Sequence, residues 1–348
     1  DTVLSDEQQR VHDAVCEKLT EGRAAAFLLH GVTGSGKTSV YEKLIYDTLL
    51  MGRQAMLLIP EIGLTPQVLS RFRSLFGERV AVIHSGLSAG QRLDEYRRIR
   101  RGLADIVIGT RSAVFAPLGN IGIIIIDEEG ERTYKSESSP RYYAHDIAKQ
   151  RCRSNNAVLL LASATPSVES YYLAQRGVYT LLEMKHRYST SPLPEVSIVD
   201  MNTERMEGNA SEFSRTLVTE IRRNLDNGEQ TMLLLNRRGY HTVISCGDCY
   251  KAVHCPNCSV PMTYHKQNDK LMCHYCGYVR DTVEVCPSCG GTHMHRMGFG
   301  TQRLEEELET LFPDARVLRM DADTVFSRQS YEKGFSAFRN GGYDIMIG

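Results

Sequence analysis

The strongest constraint on the fold is a glycine-rich loop between an apolar segment and a helical one. Residues 31–38 read Gly-Val-Thr-Gly-Ser-Gly-Lys-Thr, the pattern of a phosphate-binding loop. An apolar run of strand length, residues 25–29, precedes it, and apolar residues recur at helical spacing from Val40 to Leu49. A strand, a loop and a helix in this order direct backbone N–H groups and the positive helix end at one point. The sequence therefore predicts an α/β fold that binds a nucleoside triphosphate.

The loop supplies most of the predicted nucleotide ligands. The lysine of the motif reaches the outer phosphates in such loops, and the threonine hydroxyl holds Mg²⁺. A chance glycine turn is the alternative, and the flanking strand and helix argue against it. We expect ATP contacts from Gly31, Gly34, Ser35, Gly36, Lys37 and Thr38.

A second candidate group follows another apolar run. Residues 121–126 contain four consecutive isoleucines and lead into Asp127, Glu128 and Glu129. In a fold with a phosphate-binding loop, Asp127 is placed to hold Mg²⁺ together with Thr38, and Glu128 to polarise the attacking water. An acidic turn without function is the alternative. We predict Lys37, Asp127 and Glu128 as the catalytic residues.

Between and beyond these motifs, strands and helices alternate. Apolar runs at 54–60, 80–84, 105–110 and 157–162 read as strands, with helices between them. Repeated units of this kind imply a buried parallel sheet with helices on both faces and ligands at the carboxyl ends of the strands. Ser163 and Thr165 follow the last of these strands and are placed to relay the phosphate state.

The length and the charge bound the class of protein. With 348 residues the chain is long enough for two or three domains, and its net charge of −1 does not indicate a globally basic surface. Neither a membrane-spanning apolar run nor a signal sequence is visible. The first residue is Asp1 and residues 343–348 read as a buried strand, so we expect a piece of a longer protein.

Eight of the ten cysteines form four Cys-x-x-Cys pairs between positions 246 and 289. Pairs clustered in this way beside an intracellular ATP site indicate metal rather than disulfides, and we expect a cytoplasmic protein. Eight thiolates are the count for two four-cysteine zinc sites. An iron–sulfur cluster is the rival metal centre, and nearby histidines are alternative ligands.

The spacing of the pairs favours a nested arrangement. Only five residues separate the first two pairs, whereas fourteen separate Cys258 from Cys273 and include a possible hairpin at 264–271. We therefore predict an inner cluster and an outer cluster. The inner cluster is Cys255, Cys258, Cys273 and Cys276, and the outer cluster is Cys246, Cys249, Cys286 and Cys289.

The motifs, taken in order, resemble the first motor lobe of superfamily-two helicases. Residues 109–117, Tyr134-Lys135 and residues 140–142 narrow the resemblance to the PriA family of primosomal helicases. The resemblance implies an ATP-dependent 3′-to-5′ DNA helicase of replication restart, and it supports the nested zinc pairing. It also implies single-stranded and forked DNA, primosome and replicative-helicase loading proteins, and single-stranded DNA-binding protein as partners.

The resemblance also assigns residues to coupling. In helicases a glutamine about thirty residues before the phosphate-binding loop contacts adenine, and Gln8 is a candidate for this role. Gln8 also fits a capping box with Ser5, so both interpretations stay open. Aromatic side chains interleaved with cations suit base stacking and backbone contact, while local packing of the tyrosines is the alternative. The implied DNA-contact and coupling residues are Thr110, Arg111, Tyr134, Lys135, Arg141, Tyr142, Ser163 and Thr165.

The domain organisation follows from the same patterns. We expect a first RecA-like lobe at 1–182, a polar linker at 183–205, and an incomplete second lobe at 206–244 and 293–348. A zinc-binding insertion occupies 245–292. Residues 236–240 resemble the opening of the second lobe, where their arginines face nucleotide or DNA.

Two departures from the family pattern motivate an alternative function. First, Gly130 stands where a histidine follows the acids in the family. Second, the sequence given does not include the arginines that stabilise the transferred phosphoryl in the family, and such arginines contribute about 10³–10⁵ in rate. The alternative is a fork-recognition and partner-loading module in which motor activity is weak or dispensable. A small-molecule kinase is a third hypothesis.

Overall fold

The computed structural model describes residues 3–60, 66–137, 139–189, 194–209, 211–235, 242–249, 251–265, 268–297, 301–320 and 328–348. The chain divides into two compact units, Asp1–Pro194 and Glu195–Gly348. This division lies inside the segment that we predicted as the linker. The predictions for residues 236–240 lie outside the described residues.

The first unit is built on a seven-stranded parallel sheet with the order β3-β4-β2-β5-β6-β1-β7. Long apolar runs form its central strands because both faces of the sheet are covered. The strands are β1 (Ala25–Gly31), β2 (Gln54–Leu58), β3 (Val80–Ile83), β4 (Ile106–Gly109), β5 (Ile121–Asp127), β6 (Val158–Ser163) and β7 (Thr180–Met184).

Helices cover both faces of this sheet, as the alternating pattern predicts. Val15, Leu44 and Phe72 belong to the core on one face, where the first three helices pack, and Ile99 and Ala148 belong to the core on the other face. The helices are α1 (Asp6–Glu21), α2 (Lys37–Leu50), α3 (Pro66–Phe76), α4 (Ala89–Arg100), α5 (Ala144–Ser154) and α6 (Val168–Gln175). The prediction of an α/β fold with a parallel sheet is confirmed.

The strand β7 was not foreseen. It occupies Thr180–Met184 and therefore overlaps the start of the predicted linker. As the last strand of the sheet it pairs only with β1, and four of its five residues are partly or fully exposed. An edge strand of this kind lacks the continuous apolar run by which buried strands are recognised.

The second unit contains a small parallel sheet with the order β14-β15-β8. Its core includes Phe213, Ile221, Leu308 and Ile345. The elements are α7 (Met201–Met206), α8 (Arg215–Asp226), β8 (Thr231–Leu233), α9 (Thr301–Leu311), β14 (Val317–Arg319), α10 (Arg328–Arg339) and β15 (Ile345–Ile347). The helix α8 is capped by Ser214, whose hydroxyl oxygen accepts the Leu217 backbone N–H at 3.1 Å.

The remaining strands form a separate antiparallel sheet with the order β12-β11-β10-β9-β13. The predicted hairpin is present, since β10 pairs with β11. The first and last strands of this segment pair with each other, so the sheet extends a few residues beyond 245–292 at each end. Its strands are β9 (Thr242–Cys246), β10 (Thr263–His265), β11 (Lys270–Met272), β12 (Val279–Asp281) and β13 (Met294–Met297).

No helix in the part of the chain that the structure describes combines the length and the apolar composition needed to cross a bilayer.

The central sheet generates a stability prediction. Replacing Leu28, which is 0% exposed in β1, by Ala should lower the free energy of unfolding by about 2–5 kcal/mol, because buried methyl groups are lost and a cavity remains. Leu50→Ala, at a side chain that is 69% exposed on α2, should change it by less than about 0.5 kcal/mol. Urea unfolding followed by circular dichroism measures both, and equal losses would contradict the packing described here.

Candidate functional site

The phosphate-binding loop joins β1 to α2, as the sequence predicts. Gly34 and Gly36 have φ angles of 81° and 79°, in the left-handed region that favours glycine. A Cβ atom at Gly31 would lie 2.9 Å from the Ser35 hydroxyl oxygen, so a side chain there would intrude on the loop. The Lys37 Nζ atom donates to the Gly31 carbonyl at 2.9 Å, which places the ammonium group across the loop.

Two observations fit this loop to a phosphate group. The Ser35 Oγ atom is buried and has no hydrogen-bond partner among the described residues. Gly36, the N-cap of α2, supplies no side chain to the N–H groups of the first helical turn. Free N–H groups at a helix N-terminus, a lysine and an orphaned hydroxyl form a suitable donor set for a triphosphate.

The predicted acids face the loop. Asp127 ends β5, and its Oδ1 atom accepts a hydrogen bond of 2.8 Å from the Tyr41 hydroxyl on α2. The Glu128 Oε1 atom lies 4.0 Å from the Lys37 Nζ atom. Thr38, Asp127 and Glu128 line one cavity of about 490 Å³. The structure therefore brings the three predicted catalytic residues and the Mg²⁺-binding candidates Thr38 and Asp127 to one place.

The electrostatics of Asp127 match a cation site. Burial raises the pKa of this carboxyl above its usual value, and the nearby Glu128 raises it further. The Tyr41 hydroxyl and the Lys37 ammonium lower it. A buried carboxylate held beside a second acid gains most from a divalent cation, which fits Mg²⁺ at Thr38 and Asp127.

Glu128 connects these acids to the Ser-Ala-Thr segment. Its backbone is strained, with φ at 45°. The Ser163 hydroxyl donates to Glu128 Oε2 at 2.8 Å, and the Thr165 backbone N–H donates to Ser163 Oγ at 3.0 Å. Of the predicted relay residues, Ser163 thus contacts the predicted water-polarising carboxylate directly, and Thr165 is connected to it through Ser163.

A third acid forms a network that the sequence interpretation missed. Glu129 is fully buried and accepts hydrogen bonds from the Ser167 backbone N–H at 2.6 Å and from the Ser170 hydroxyl at 2.7 Å. The His145 Nε2 atom lies 3.3 Å from Glu129 Oε2. The sequence signal for this network is a Ser-x-x-Ser pattern, Ser167 and Ser170, at the start of α6. That pattern predicts a helix N-cap but does not reveal that Glu129 accepts hydrogen bonds from both serines.

Gly130 lies against the start of α6. A Cβ atom at this position would come within 3.4 Å of the Thr165 carbonyl oxygen and 3.5 Å of the Ser167 backbone nitrogen. The histidine expected from the family pattern would therefore begin beside the Ser-Ala-Thr segment. With glycine here, the side chain that would lie between the acids and the Ser-Ala-Thr segment is missing. The contacts of Asp127 and Glu128 described above do not depend on that side chain.

Gln8 joins the first helix to the loop. Its Oε1 atom accepts from the Ser5 backbone N–H at 2.9 Å, which completes the predicted capping box. Its Nε2 atom donates to the Ser35 carbonyl at 2.9 Å, and the residue is 0% exposed. Capping and support of the loop are therefore the roles that its contacts show, and an adenine contact stays a prediction.

The predicted coupling loop is only partly on the surface. Tyr134 is 1% exposed, and its hydroxyl lies 2.6 Å from the Asp127 carbonyl oxygen. The ring is therefore packed in the core, the alternative weighed for the tyrosines, and a role of Tyr134 in coupling stays a prediction. Lys135 and Arg141 are exposed.

Other members of this group pack locally. The Tyr142 ring makes an edge contact of 4.9 Å with Phe115, and the Arg111 guanidinium lies 5.7 Å from the Tyr142 ring. Arg111 also donates to the Thr133 carbonyl at 3.1 Å. Thr110 is buried at the end of β4. Local packing, the alternative weighed for the tyrosines, thus describes much of this loop.

The eight clustered cysteines meet in two groups. The first is the predicted outer cluster and the second is the predicted inner cluster, and within each group the sulfur atoms lie within 4.8 Å of one another. Sulfur–sulfur distances of 3.6 Å join Cys246 to Cys289 and Cys255 to Cys276. In a tetrahedral zinc site each sulfur lies about 2.3 Å from the ion, and sulfur–sulfur distances of this size follow from that geometry. Backbone N–H groups at Asp248 and Ser288 donate to cluster sulfurs.

Models of two known protein families match separate parts of the chain. A DEAD/DEAH box helicase family model matches residues 8–173, and a model of the PriA DNA helicase Cys-rich region matches residues 255–280. The replication restart protein PriA of Bacillus subtilis is 47% identical over 345 residues, covering 99% of this chain and 43% of that protein. The chain belongs to the PriA family. The PriA protein of Synechocystis is 42% identical over 330 residues, covering 92% of the chain and 40% of that protein.

The likeness to solved structures concerns the fold alone. A structure of RecG bound to a three-way DNA junction aligns with a TM-score of 0.50 and 17% identity, covering 100% of this PriA-family chain and 36% of RecG. This likeness supports a RecA-like fold, whereas the zinc-ribbon segment is supported by the Cys-rich region match and the two cysteine clusters. The chain spans less than half the length of the two PriA proteins named above.

The buried network generates a pH prediction. Burial alone would raise the pKa of Glu129, but the His145 imidazole 3.3 Å away and the hydrogen bonds from Ser167 and Ser170 bring it below its usual value. Its stabilising contribution is therefore complete above the unfolded pKa of about 4.3 and is lost as the pH falls through the folded pKa.

Replacing Glu129 by Gln should lower the free energy of unfolding at pH 7 by about 1.5–3 kcal/mol, and the difference should shrink below about pH 4. Glu169→Gln, at an exposed carboxylate on α6, is the matched control. Urea unfolding at several pH values measures both. A pH-independent difference would show that the charge of Glu129 is not what stabilises the network.

The nested clusters generate a metal-content prediction. The double variant Cys246→Ala/Cys289→Ala damages only the outer cluster and should retain about one zinc per chain. The double variant Cys246→Ala/Cys255→Ala damages both clusters and should retain none. Elemental analysis of purified protein measures both. Sequential pairing of neighbouring motifs predicts the opposite pair of results.

Proposed function

We propose that this chain is the ATP-binding motor segment of a DNA helicase that acts in replication restart. The observation that carries the proposal is the cavity lined by Thr38, Asp127 and Glu128 at the carboxyl ends of the strands, with the Lys37 ammonium 4.0 Å from the Glu128 carboxylate. The printed names of its relatives and the helicase family match support the biological setting. Movement from 3′ to 5′ along DNA and unwinding of forks are part of the proposal.

The residues have distinct proposed roles in hydrolysis. The loop N–H groups and Lys37 bind the phosphates of ATP and neutralise their charge, while Thr38 and Asp127 would hold Mg²⁺. When bound, Mg²⁺ supplies positive charge to the phosphates. Glu128 orients the attacking water and accepts its proton, and the hydrogen bond from Ser163 fixes the carboxylate for this task.

Coupling to DNA is proposed through the surface beside these acids. Lys135 and Arg141 are exposed cations that suit phosphate contacts, and Arg111 and Tyr142 pack beside them. Tyr134 connects this surface to the acids through its contact with the Asp127 backbone. Thr110, Ser163 and Thr165 complete this group of coupling residues. Through the group, hydrolysis of the bound triphosphate alters the contact with single-stranded or forked DNA.

The domain roles are also proposals. We assign residues 1–182 to the ATP-binding lobe, 183–205 to a linker, 206–244 and 293–348 to the second lobe, and 245–292 to the zinc-binding insertion. The insertion has its own small core, including Val253, Met262 and Leu271, and is a contact module rather than a catalytic one. Its proposed partners are fork DNA, single-stranded DNA-binding protein and helicase-loading proteins in the cytoplasm.

Loss of the loop lysine tests the motor proposal. Lys37→Ala should lower DNA-stimulated ATP hydrolysis at least about 100-fold, because the charge that stabilises the transferred phosphoryl is removed. Lys43→Ala on the same helix removes a 3.4 Å ion pair with Asp47 and a cation–π contact with Tyr46, both away from the loop, and should hydrolyse ATP like the unmodified protein.

The measurement is ATP turnover with and without forked DNA, for this chain and for a longer protein that contains it, with zinc content determined in parallel. Undiminished turnover by the Lys37 variant would reject the assignment.

A further inference from the structure

The chain that follows β7 runs along the phosphate-binding loop within the first unit. The Met184 carbonyl accepts the Val32 backbone N–H at 3.0 Å, and the Tyr188 backbone N–H donates to the Gly34 carbonyl at 2.8 Å. The aliphatic part of Arg187 would lie 3.7 Å from a Cβ atom at Gly34. We call residues 186–188 the strap. Its main chain is therefore fixed to the tip of the loop.

The strap is also held from the other side. The His186 Nδ1 atom lies 2.8 Å from Glu7 Oε1, and the His186 backbone N–H donates to Glu7 Oε2 at 3.1 Å. Glu7 precedes Gln8, which contacts the loop at Ser35. The loop tip is thus bordered by the first turn of α1 and by the strap, and these two segments form the rim on that side.

This rim carries an exposed tyrosine that is suited to stacking on a flat ring. Gln8 is 0% exposed, and both ends of its side-chain amide are engaged by Ser5 and Ser35. Tyr188 is 65% exposed, and its Cβ atom would lie 3.7 Å from a Cβ atom at Gly36. A large aromatic ring is therefore held in solvent beside the loop although nothing in its backbone contacts requires an aromatic residue.

We propose that Tyr188 is the nucleobase platform of the site. A triphosphate in the loop has its phosphates covered by N–H groups, so its nucleoside end projects past the rim, where the tyrosine ring stacks on the base. This inference rests on the proposed function, and it assigns the base contact to the strap rather than to Gln8. Stacking tolerates any base and favours the larger purines, because they offer more π-surface.

The test separates the base from the phosphates. Calorimetry with Mg²⁺ compares the β,γ-imido analogue of ATP with inorganic tripolyphosphate, which has no base. Tyr188→Ala should bind the ATP analogue about 5- to 100-fold more weakly and tripolyphosphate unchanged, since stacking acts only on the base. Tyr188→Phe keeps the ring and should bind both like the unmodified protein. Tyr172→Ala, at another exposed tyrosine of the first unit, is the control.

The outcomes distinguish the two proposals. If the unmodified protein binds the ATP analogue and Tyr188→Ala binds it equally well, the platform is refuted while the proposed function stands. If Tyr188→Ala loses tripolyphosphate as much as the ATP analogue, the residue supports the loop and not the base, which also refutes it. If the unmodified protein binds neither ligand, the proposed function fails and the platform fails with it.

Discussion

The parallel pairing of β5, β6 and β1 is the constraint on which the site depends. These three strands are neighbours, with Asp127 beside Ala162 and His30 beside Ser163 in the register. The Glu129 backbone N–H continues this pairing by donating to the Ala162 carbonyl at 3.0 Å. Three motifs that are far apart in sequence thus meet because each follows the carboxyl end of its strand. A change in register by one residue would separate the acids from the loop lysine.

Much of this arrangement was predictable from local patterns. Apolar runs, the glycine loop and the cysteine spacing are short-range signals, and they led to the parallel sheet, the nested clusters and the meeting of Lys37 with Asp127. Burial and long-range contacts were not predictable in the same way. Tyr134 is an aromatic residue of the type that stacks on bases, yet its ring is buried and its hydroxyl donates to the Asp127 carbonyl at the end of β5. Tyr41 follows Thr38 by three residues, a helical spacing that agrees with its contact to Asp127 but does not by itself reveal it.

The cysteine clusters stabilise a segment that has little core of its own. Its sheet consists of short strands, and its buried residues include the cluster cysteines Cys255 and Cys273. Metal binding closes the large loop between the two halves of the outer cluster as well as the smaller loop of the inner one. We therefore expect folding of this segment to be coupled to metal binding, whereas the first unit has a continuous apolar core on each face of its sheet.

The contacts of Glu129 have a consequence for anion selectivity. Two helices, α2 and α6, begin beside the same cavity, and each N-terminus carries a partial positive charge. At α6 this charge is neutralised from within the protein, since the buried carboxylate accepts the N–H and hydroxyl groups of the first turn. At α2 it is left for an external anion. The protein's own acid thus acts as a built-in counterion at α6, so of these two termini only that of α2 is left for the triphosphate proposed above.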